Sequence, residues 1–267
     1  IEEKSKKLAL GLNVKGLLNI QFAIKDEELF ILEANPRASR TMPFVAKVTG
    51  NQIIKAGTLL MLGYSIEEVR NKTKYLSSSS NKVAIKKAIF PWSRFPAEDT
   101  MLGPEMKATG EVLGVGKEFG TALNKAYAAA GVEINNKEKG IFVTLSDGEK
   151  PNFIKTVNKY LELGFTLYST EGTGKFLKTN GIDSVIVGKA DDLGQTSLTI
   201  IEDKLVSLVI NTPTYANELS DGWKIRRLSH ETGVAVVSSV READAFIEAF
   251  LNQNLVLDDL EVIQDVS

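Results

Sequence analysis

The chain has 267 residues, 43% of them hydrophobic and 25% charged, which is enough for two domains that each bury a core. Its 32 basic and 34 acidic side chains leave a net charge of −2 and give no electrostatic footprint for nucleic acid. No apolar run approaches the ~20 residues of a membrane span, and the lack of cysteine excludes disulfides, thiolate catalysis and thiolate-bound metal, as expected of a cytoplasmic protein.

The opening Ile-Glu-Glu-Lys-Ser-Lys-Lys is too charged for a signal peptide. A helix is expected over residues 2–13, where Leu8 and Leu12 fall at helical spacing. Opening at Ile1 straight into a helix, with neither a cap nor an initiator Met, is the pattern expected of a piece of a longer chain. Two apolar segments then flank Asp26-Glu27-Glu28 and predict a β-hairpin. A three-residue loop there pairs Lys25 with Leu29, Gln21 with Glu33 and Asn19 with Asn35. Alternation along the strands places Gln21, Glu33 and Asn35 on one face. Two amide oxygens and a carboxylate, with no His or Cys, suit a hard cation such as Mg²⁺ or Mn²⁺ that holds nucleotide phosphates. Arg37 and Arg40 follow at once and are placed to clamp those phosphates. The alternative is a polar hairpin face with an Arg-rich turn. The Gln21–Glu33 pairing and the two arginines favour the site.

The same residues carry a family resemblance. Asn-Ile-Gln-Phe-Ala-Ile followed by Ile-Leu-Glu-Ala-Asn-Pro-Arg-Ala-Ser-Arg resembles the metal-binding end of an ATP-grasp domain, in detail the second ATP-grasp unit of the carbamoyl phosphate synthetase large-chain family. Leu102 to Gly114, Leu-Gly-Pro-Glu-Met-Lys-Ala-Thr-Gly-Glu-Val-Leu-Gly, resembles the segment that follows it in that family.

Phe44 to Leu62 is expected to form one helix, with an apolar stripe through Val45, Val48, Ile53, Ile54, Leu59 and Leu60 and a stop at Gly63. Ile66–Arg70 adds a short helix. Lys72–Lys82, with its Ser77–Ser80 run, is expected to be a solvated connector rather than a phosphorylation or hinge site. Val83–Pro91 is expected to be a strand closed by proline. The glycines between 103 and 116 lack the order of a phosphate-binding loop and are expected to shape turns. A helix over Phe119–Ala130 and a boundary near residues 135–140 complete this half. The expected organisation is residues 1–75, a connector over 76–135, and a second domain over 136–267.

Beyond that boundary, strands are predicted at Ile141–Leu145, Phe165–Tyr168, Ser184–Val187, Leu205–Ile210 and Val234–Val237. Helices are predicted between and after them, at Pro151–Leu163, Gly174–Thr179, Leu193–Asp203, Gly222–Glu231 and Arg241–Leu251. Pro151 suits a first helical position, and Gly164, Gly181 and Gly233 suit helix stops. Strands alternating with helices imply βαβ crossovers, a mostly parallel five-stranded Rossmann-like α/β domain, and a ligand at the strand carboxyl ends. The residues there are Ser146–Lys150, the Thr170–Gly174 loop with Thr170 and Thr173, Lys189, and Asn211-Thr212. Two lysines, several hydroxyls and a loosened backbone describe a phosphate-type anion pocket. The alternative is the ordinary Ser, Thr and Gly content of βα loops with solvated lysines.

From about Gly140 onward the chain is similar to the C-terminal regulatory domain of the same synthetase family, of the methylglyoxal-synthase-like type. The resemblance implies a fold with an α+β part, the C-terminal portion of an ATP-grasp domain, followed by the α/β domain. It implies a ligase parent that phosphorylates carbamate with MgATP, with Gln21, Glu33 and Asn35 on the metal and Arg37 and Arg40 on phosphate or carbamate. It implies that the adenine pocket precedes Ile1, so that this chain alone is inactive, and that its partners are the rest of the large chain and a glutaminase small chain. It also implies a phosphorylated effector, a nucleotide first, held by Lys150, Thr170, Thr173, Lys189, Asn211 and Thr212. The pathway, arginine or pyrimidine, stays open, as does self-association through the C-terminal region. Pro213 and Asp191-Asp192 depart from the family pattern and bear on effector binding. His230, the sole histidine, is expected to cap carbonyls or meet solvent, and Arg226-Arg227 to lie on a solvated helix face. The rival class is a stand-alone effector-binding or assembly module with no catalytic activity.

Overall fold

The computed structural model describes residues 1–73, 82–95, 99–101, 110–132, 134, 140–213 and 220–252. The chain divides into two compact units, one built on Ile1–Asn81 and one on Lys82–Leu257. The expected boundary near 135–140 thus falls inside the second unit. The Ser77–Ser80 run, Leu102–Thr109 and residues 135–139 lie outside the described residues.

In the first unit, α1 (Glu2–Gly11) precedes an antiparallel pair, β1 (Asn19–Lys25) and β2 (Glu28–Asn35). The expected pairing of Gln21 with Glu33 and Asn19 with Asn35 is present, but by another route. The turn has two residues rather than three: Lys25 pairs with Glu28 across Asp26 and Glu27, whose φ angles are 49° and 63°. Positive φ at both central positions is the tight turn whose twist matches that of the strands. The register then shifts by one between Gln21 and Phe22, so Leu32 has no partner and forms a bulge. The bulge restores the Gln21–Glu33 pairing that the shorter turn would otherwise have displaced.

The single helix expected over Phe44–Leu62 is two helices, α2 (Thr41–Thr49) and α3 (Ile53–Met61). Gly50 ends α2 in the left-handed conformation at φ 70°, which a side chain would oppose. The Thr49 hydroxyl donates to Val45 O at 2.8 Å and accepts from Asn51 N, so it completes the stop. In α4 (Ile66–Lys72), Ser65 and Glu68 form a reciprocal capping box.

The second unit opens with β3 (Val83–Ile89) and β4 (Gly110–Gly116), which pair antiparallel under α5 (Phe119–Ala129). The next elements in chain order are β5 (Gly140–Thr144), α6 (Lys150–Glu162), β6 (Leu167–Ser169), α7 (Glu171–Thr179) and β7 (Val185–Ile186). The chain then forms α8 (Thr199–Glu202), β8 (Val206–Asn211), α9 (Asp221–Thr232), β9 (Ala235–Val237) and α10 (Val240–Leu251). All four pairings in the sheet are parallel and its order is β7-β6-β5-β8-β9. The expected five-stranded Rossmann-like α/β architecture is therefore present. The chain winds outward from β5 to one edge, returns to β8 and winds to the other, so the direction reverses between β5 and β8. Ile141, Phe142 and Val143 are fully buried, as strands covered on both faces require. Helix α7 begins three residues before the expected Gly174, and α8 is confined to four residues. Reciprocal hydrogen bonds between Thr196 and Thr199 set its start, after a connection containing Gly194 at φ 93°.

Helix α5 joins this core rather than standing apart. Asn124 Nδ2 donates to Ala249 O at 3.0 Å, and the Tyr127 ring meets Phe246 edge-on at 5.2 Å.

Candidate functional sites

The hairpin of the first unit brings three of the expected residues together. Gln21 lies opposite Glu33, and Asn35 sits two residues on, facing the same way. Asn35 Nδ2 donates to Glu33 Oε1 at 2.9 Å. That bond uses one of the amide's two N–H donors and leaves Asn35 Oδ1 and the second Glu33 oxygen as acceptors. The set is one exposed carboxylate and two amide oxygens, which are hard donors suited to Mg²⁺ or Mn²⁺. Asn19 Nδ2 donates to Ser39 Oγ at 3.3 Å and ties the following loop to the strand. Arg37 and Arg40 are both exposed on that loop. Arg37 Nη1 donates only to Ala38 O, at 3.1 Å, and Arg40 occupies the cap position of α2. The loop thus presents two cations near the carboxylate with no acidic partner bonded to either among the described residues.

In the second unit the residues expected after β5, β6 and β8 lie at the carboxyl ends of strands around the switch point between β5 and β8, where open parallel sheets bind ligands, while Lys189 follows the edge strand β7. Ser146 N donates to Thr212 Oγ1 at 2.8 Å, which bridges the loops that follow the two central strands. Leu145 N donates to Thr173 Oγ1 at 3.1 Å, and the Thr170 hydroxyl donates to the same oxygen at 3.3 Å. Thr173, 2% exposed, therefore latches α7 to the loop after β5. Thr170 caps α7 in extended conformation and stays partly open, beside the positive end of the helix.

Lys150 is 15% exposed at its side chain, and its Nζ donates to Asp147 Oδ1 at 2.6 Å. The hydrogen bond and charge of Lys150 hold the Asp147 carboxyl below its usual range. Asp147 is 95% exposed and can swing away when another anion approaches Lys150. Lys189 is exposed at its side chain. The two acidic residues beside it are already engaged. Asp192 Oδ2 accepts from Lys189 N at 2.7 Å, and Asp191 pairs with Lys224 of α9 at 2.7 Å. They are braces of the loop rather than free repulsive charges.

Arg226 and Arg227 overturn an expectation. Both are buried rather than solvated. Arg226 forms a two-pronged ion pair with Asp99, with Nε to Oδ1 at 3.0 Å, and its Nη1 donates to Asn211 Oδ1 at 2.6 Å. Burial pushes the Asp99 carboxyl up, but the Arg226 hydrogen bonds and charge, with the Met101 N–H, outweigh it and hold Asp99 below its usual range. Arg227 Nη1 donates to Phe95 O at 2.8 Å. His230 keeps an exposed face, as expected, with its ring 6.0 Å from that of Trp92.

Sequence reading also missed a cavity of about 210 Å³, lined by Lys87, Trp92, Tyr127, His230 and Glu242, among others, and bordered by Arg226 and by Ser238 just after β9. Lys87 Nζ lies 4.3 Å over the Tyr127 ring, and burial lowers its pKa against the pull of Glu242. Among the described residues no group of three or more His, Cys, Asp or Glu side chains is placed to hold a metal. No described helix is long and apolar enough to cross a membrane.

Comparisons with known proteins fall on the same two regions. Residues 1–69 match the family model for the "Carbamoyl-phosphate synthase L chain, ATP binding domain", and residues 152–238 match that for the "MGS-like domain". The chain is 38% identical over 263 residues to the carbamoyl phosphate synthase large chain, C-terminal section, of Aquifex aeolicus, covering 93% of this chain and 49% of the relative. It is 39% identical to the corresponding section from Methanocaldococcus jannaschii, covering 91% and 40%. With the carbamoyl phosphate synthase large chain of Brucella suis it shares 40% identity over 93% of this chain and 22% of the relative. The chain thus spans half or less of the length of these curated relatives.

Proposed function

We propose, for a chain that matches the C-terminal part of the carbamoyl phosphate synthase large chain, that its first unit serves phosphoryl transfer and its second binds a phosphorylated effector. The hairpin face carries the first half of this reading. Its carboxylate and two amide oxygens stand together, followed by two exposed arginines without acidic partners among the described residues. Glu33, Gln21 and Asn35 would hold Mg²⁺ or Mn²⁺. Such a cation neutralises nucleotide phosphates and stabilises charge on the transferring phosphoryl group. Arg37 and Arg40 would hold phosphoryl or carbamate oxygens where charge develops. The parent reaction on this reading is phosphorylation of carbamate by MgATP to carbamoyl phosphate. The partners are the rest of the large chain and a glutaminase small chain.

The second half rests on the crevice between β5 and β8, with Lys150, Thr170, Asn211 and Thr212 at or after the ends of β5, β6 and β8 and Lys189 following the edge strand β7. Phosphate is the chemical class that a half-buried ammonium, oriented hydroxyls and a helix start would share. Thr173 enters as the latch of this pocket as much as a contact to the ligand.

Calorimetry on the full chain separates this reading from a pure effector module. A nucleotide heat that requires Mg²⁺ and disappears in Glu33→Ala supports the phosphoryl-transfer half. Phosphate or nucleotide binding that ignores Mg²⁺ and Glu33 but weakens in Lys150→Ala supports the module alone. The self-contained core of the second unit is the observation that favours that narrower reading. Binding in either case should weaken as ionic strength rises.

A further inference from the structure

Asn211 ends β8 at the switch point and is 4% exposed, yet only its oxygen is bonded to another side chain. A guanidinium carries donors and no acceptor, so the amide atom that meets Arg226 Nη1 at 2.6 Å has to be Oδ1. That choice settles the other end of the amide. Nδ2 has no hydrogen-bond acceptor among the described residues, and it faces the start of α9 at Gly222, at the end of the strand whose next residue, Thr212, holds the Ser146 N–H of the neighbouring loop. Gly222 makes room for the arrangement. A Cβ there would fall 3.1 Å from Arg226 Nη1 and 3.5 Å from Asn211 Nδ2.

We propose that Arg226 is a positioning residue of the strand-end pocket. It fixes the Asn211 amide so that Nδ2 is offered as a donor to an oxygen of a bound phosphate. Asp99 holds the guanidinium through both carboxylate oxygens and balances its charge, so Arg226 acts through Asn211 rather than on the ligand. The pocket's donor set therefore depends on a residue near position 99, outside the five-stranded sheet. The inference rests on reading the strand-end crevice as an anion site.

The test is calorimetry of the full chain with inorganic phosphate, together with the side-chain amide NMR signal of Asn211 and a thermal melt. Wild type should bind, with the Nδ2 signal shifting on phosphate addition. Arg226→Gln should weaken binding roughly tenfold, the scale of one misdirected hydrogen bond, and Arg226→Lys should recover part of the loss. Asn211→Asp keeps an acceptor for Arg226 but turns an anionic oxygen toward the ligand. It should abolish phosphate binding with the melting midpoint unchanged or raised. It also decides the matter if Arg226→Gln fails to fold, because the buried pair with Asp99 stays intact. Wild-type-like phosphate affinity in Asn211→Asp, or in a folded Arg226→Gln, overturns the positioning role even where Lys150→Ala still weakens binding and upholds the anion site. Absence of phosphate binding in wild type overturns both.

Discussion

The two units spend their apolar residues differently. Among the described residues of the first, only Ala46 and Val69 are buried hydrophobics, while Ile24, Phe30, Ile31 and Leu32 of the hairpin are exposed, Leu32 at 64%. In the second, a continuous cluster from Ile141 and Val143 through Phe153, Tyr160 and Phe165 to Phe246 and Phe250 is sealed from water. Similar apolar strand sequences thus end in opposite places. Hydrophobic content announces a strand, but only the alternation of helices with strands announces a core that the segment closes for itself.

That contrast can be broken most severely at Glu33. In the full-length parent, Glu33→Ala should abolish carbamoyl phosphate formation from carbamate, with the melting curve unchanged because the side chain is exposed and outside any core. Wild-type turnover at subsaturating Mg²⁺ would sink the cation assignment. Next in size is the core of the second unit. Phe250→Ala removes a 2% exposed ring that lies 4.6 Å from Phe165 and should cost about 3–5 kcal/mol. Leu32→Ala in the hairpin should stay within about 0.5 kcal/mol. Equal losses in urea titrations of the two variants would mean that the hairpin face is covered after all. Arg40→Leu should lower turnover roughly a hundredfold, about 3 kcal/mol, with a smaller effect on nucleotide affinity. A change confined to the melting midpoint would make it a structural arginine.

The smallest effect concerns His230. Desolvation, with Lys87 and Arg227 nearby, pushes its pKa from the ordinary 6.5 down to about 4. The unfolded chain then binds the proton more readily, so this contribution is complete above pH 6.5 and is lost as pH falls toward 4. The ring's exposed face lets water screen the charge, which keeps the contribution under about 1 kcal/mol. His230→Gln should flatten the fall in melting midpoint across that window. An unaltered slope would assign the fall to carboxylates.

Much of this was legible in the sequence, for identifiable reasons. The five strands of the sheet announced themselves as short apolar runs between helices, and Gly164, Gly181 and Gly233 stop their helices at positive φ as their positions suggested. The face carrying Gln21, Glu33 and Asn35 was also predictable, although by a pairing argument that assumed the wrong turn. Neither a bulge nor a two-residue turn at Asp26-Glu27 has a strong local signature, and each hides the other. The break at Gly50 was masked by an apolar stripe that runs through both helices. Arg226 was misjudged because its environment is set by Asp99, 127 positions away, and by Asn211 on another strand. One sequence carries no trace of that meeting. Lys150 was visible as a lysine after the first strand of the sheet, but its embrace of Asp147 depends on a backbone turn that composition does not reveal.

The bulge at Leu32 has one more consequence. It acts as an expansion joint between the hairpin tip and the end that carries Glu33. A tip shortened by one residue could be absorbed by drawing Leu32 back into the ladder, with the polar face left in phase. Without such a joint, a one-residue change at the tip would rotate Glu33 to the opposite side of the ribbon. The tip at Asp26-Glu27 is therefore where evolution, or an engineer seeking a place for a label, has freedom that the strand between Glu33 and Asn35 does not.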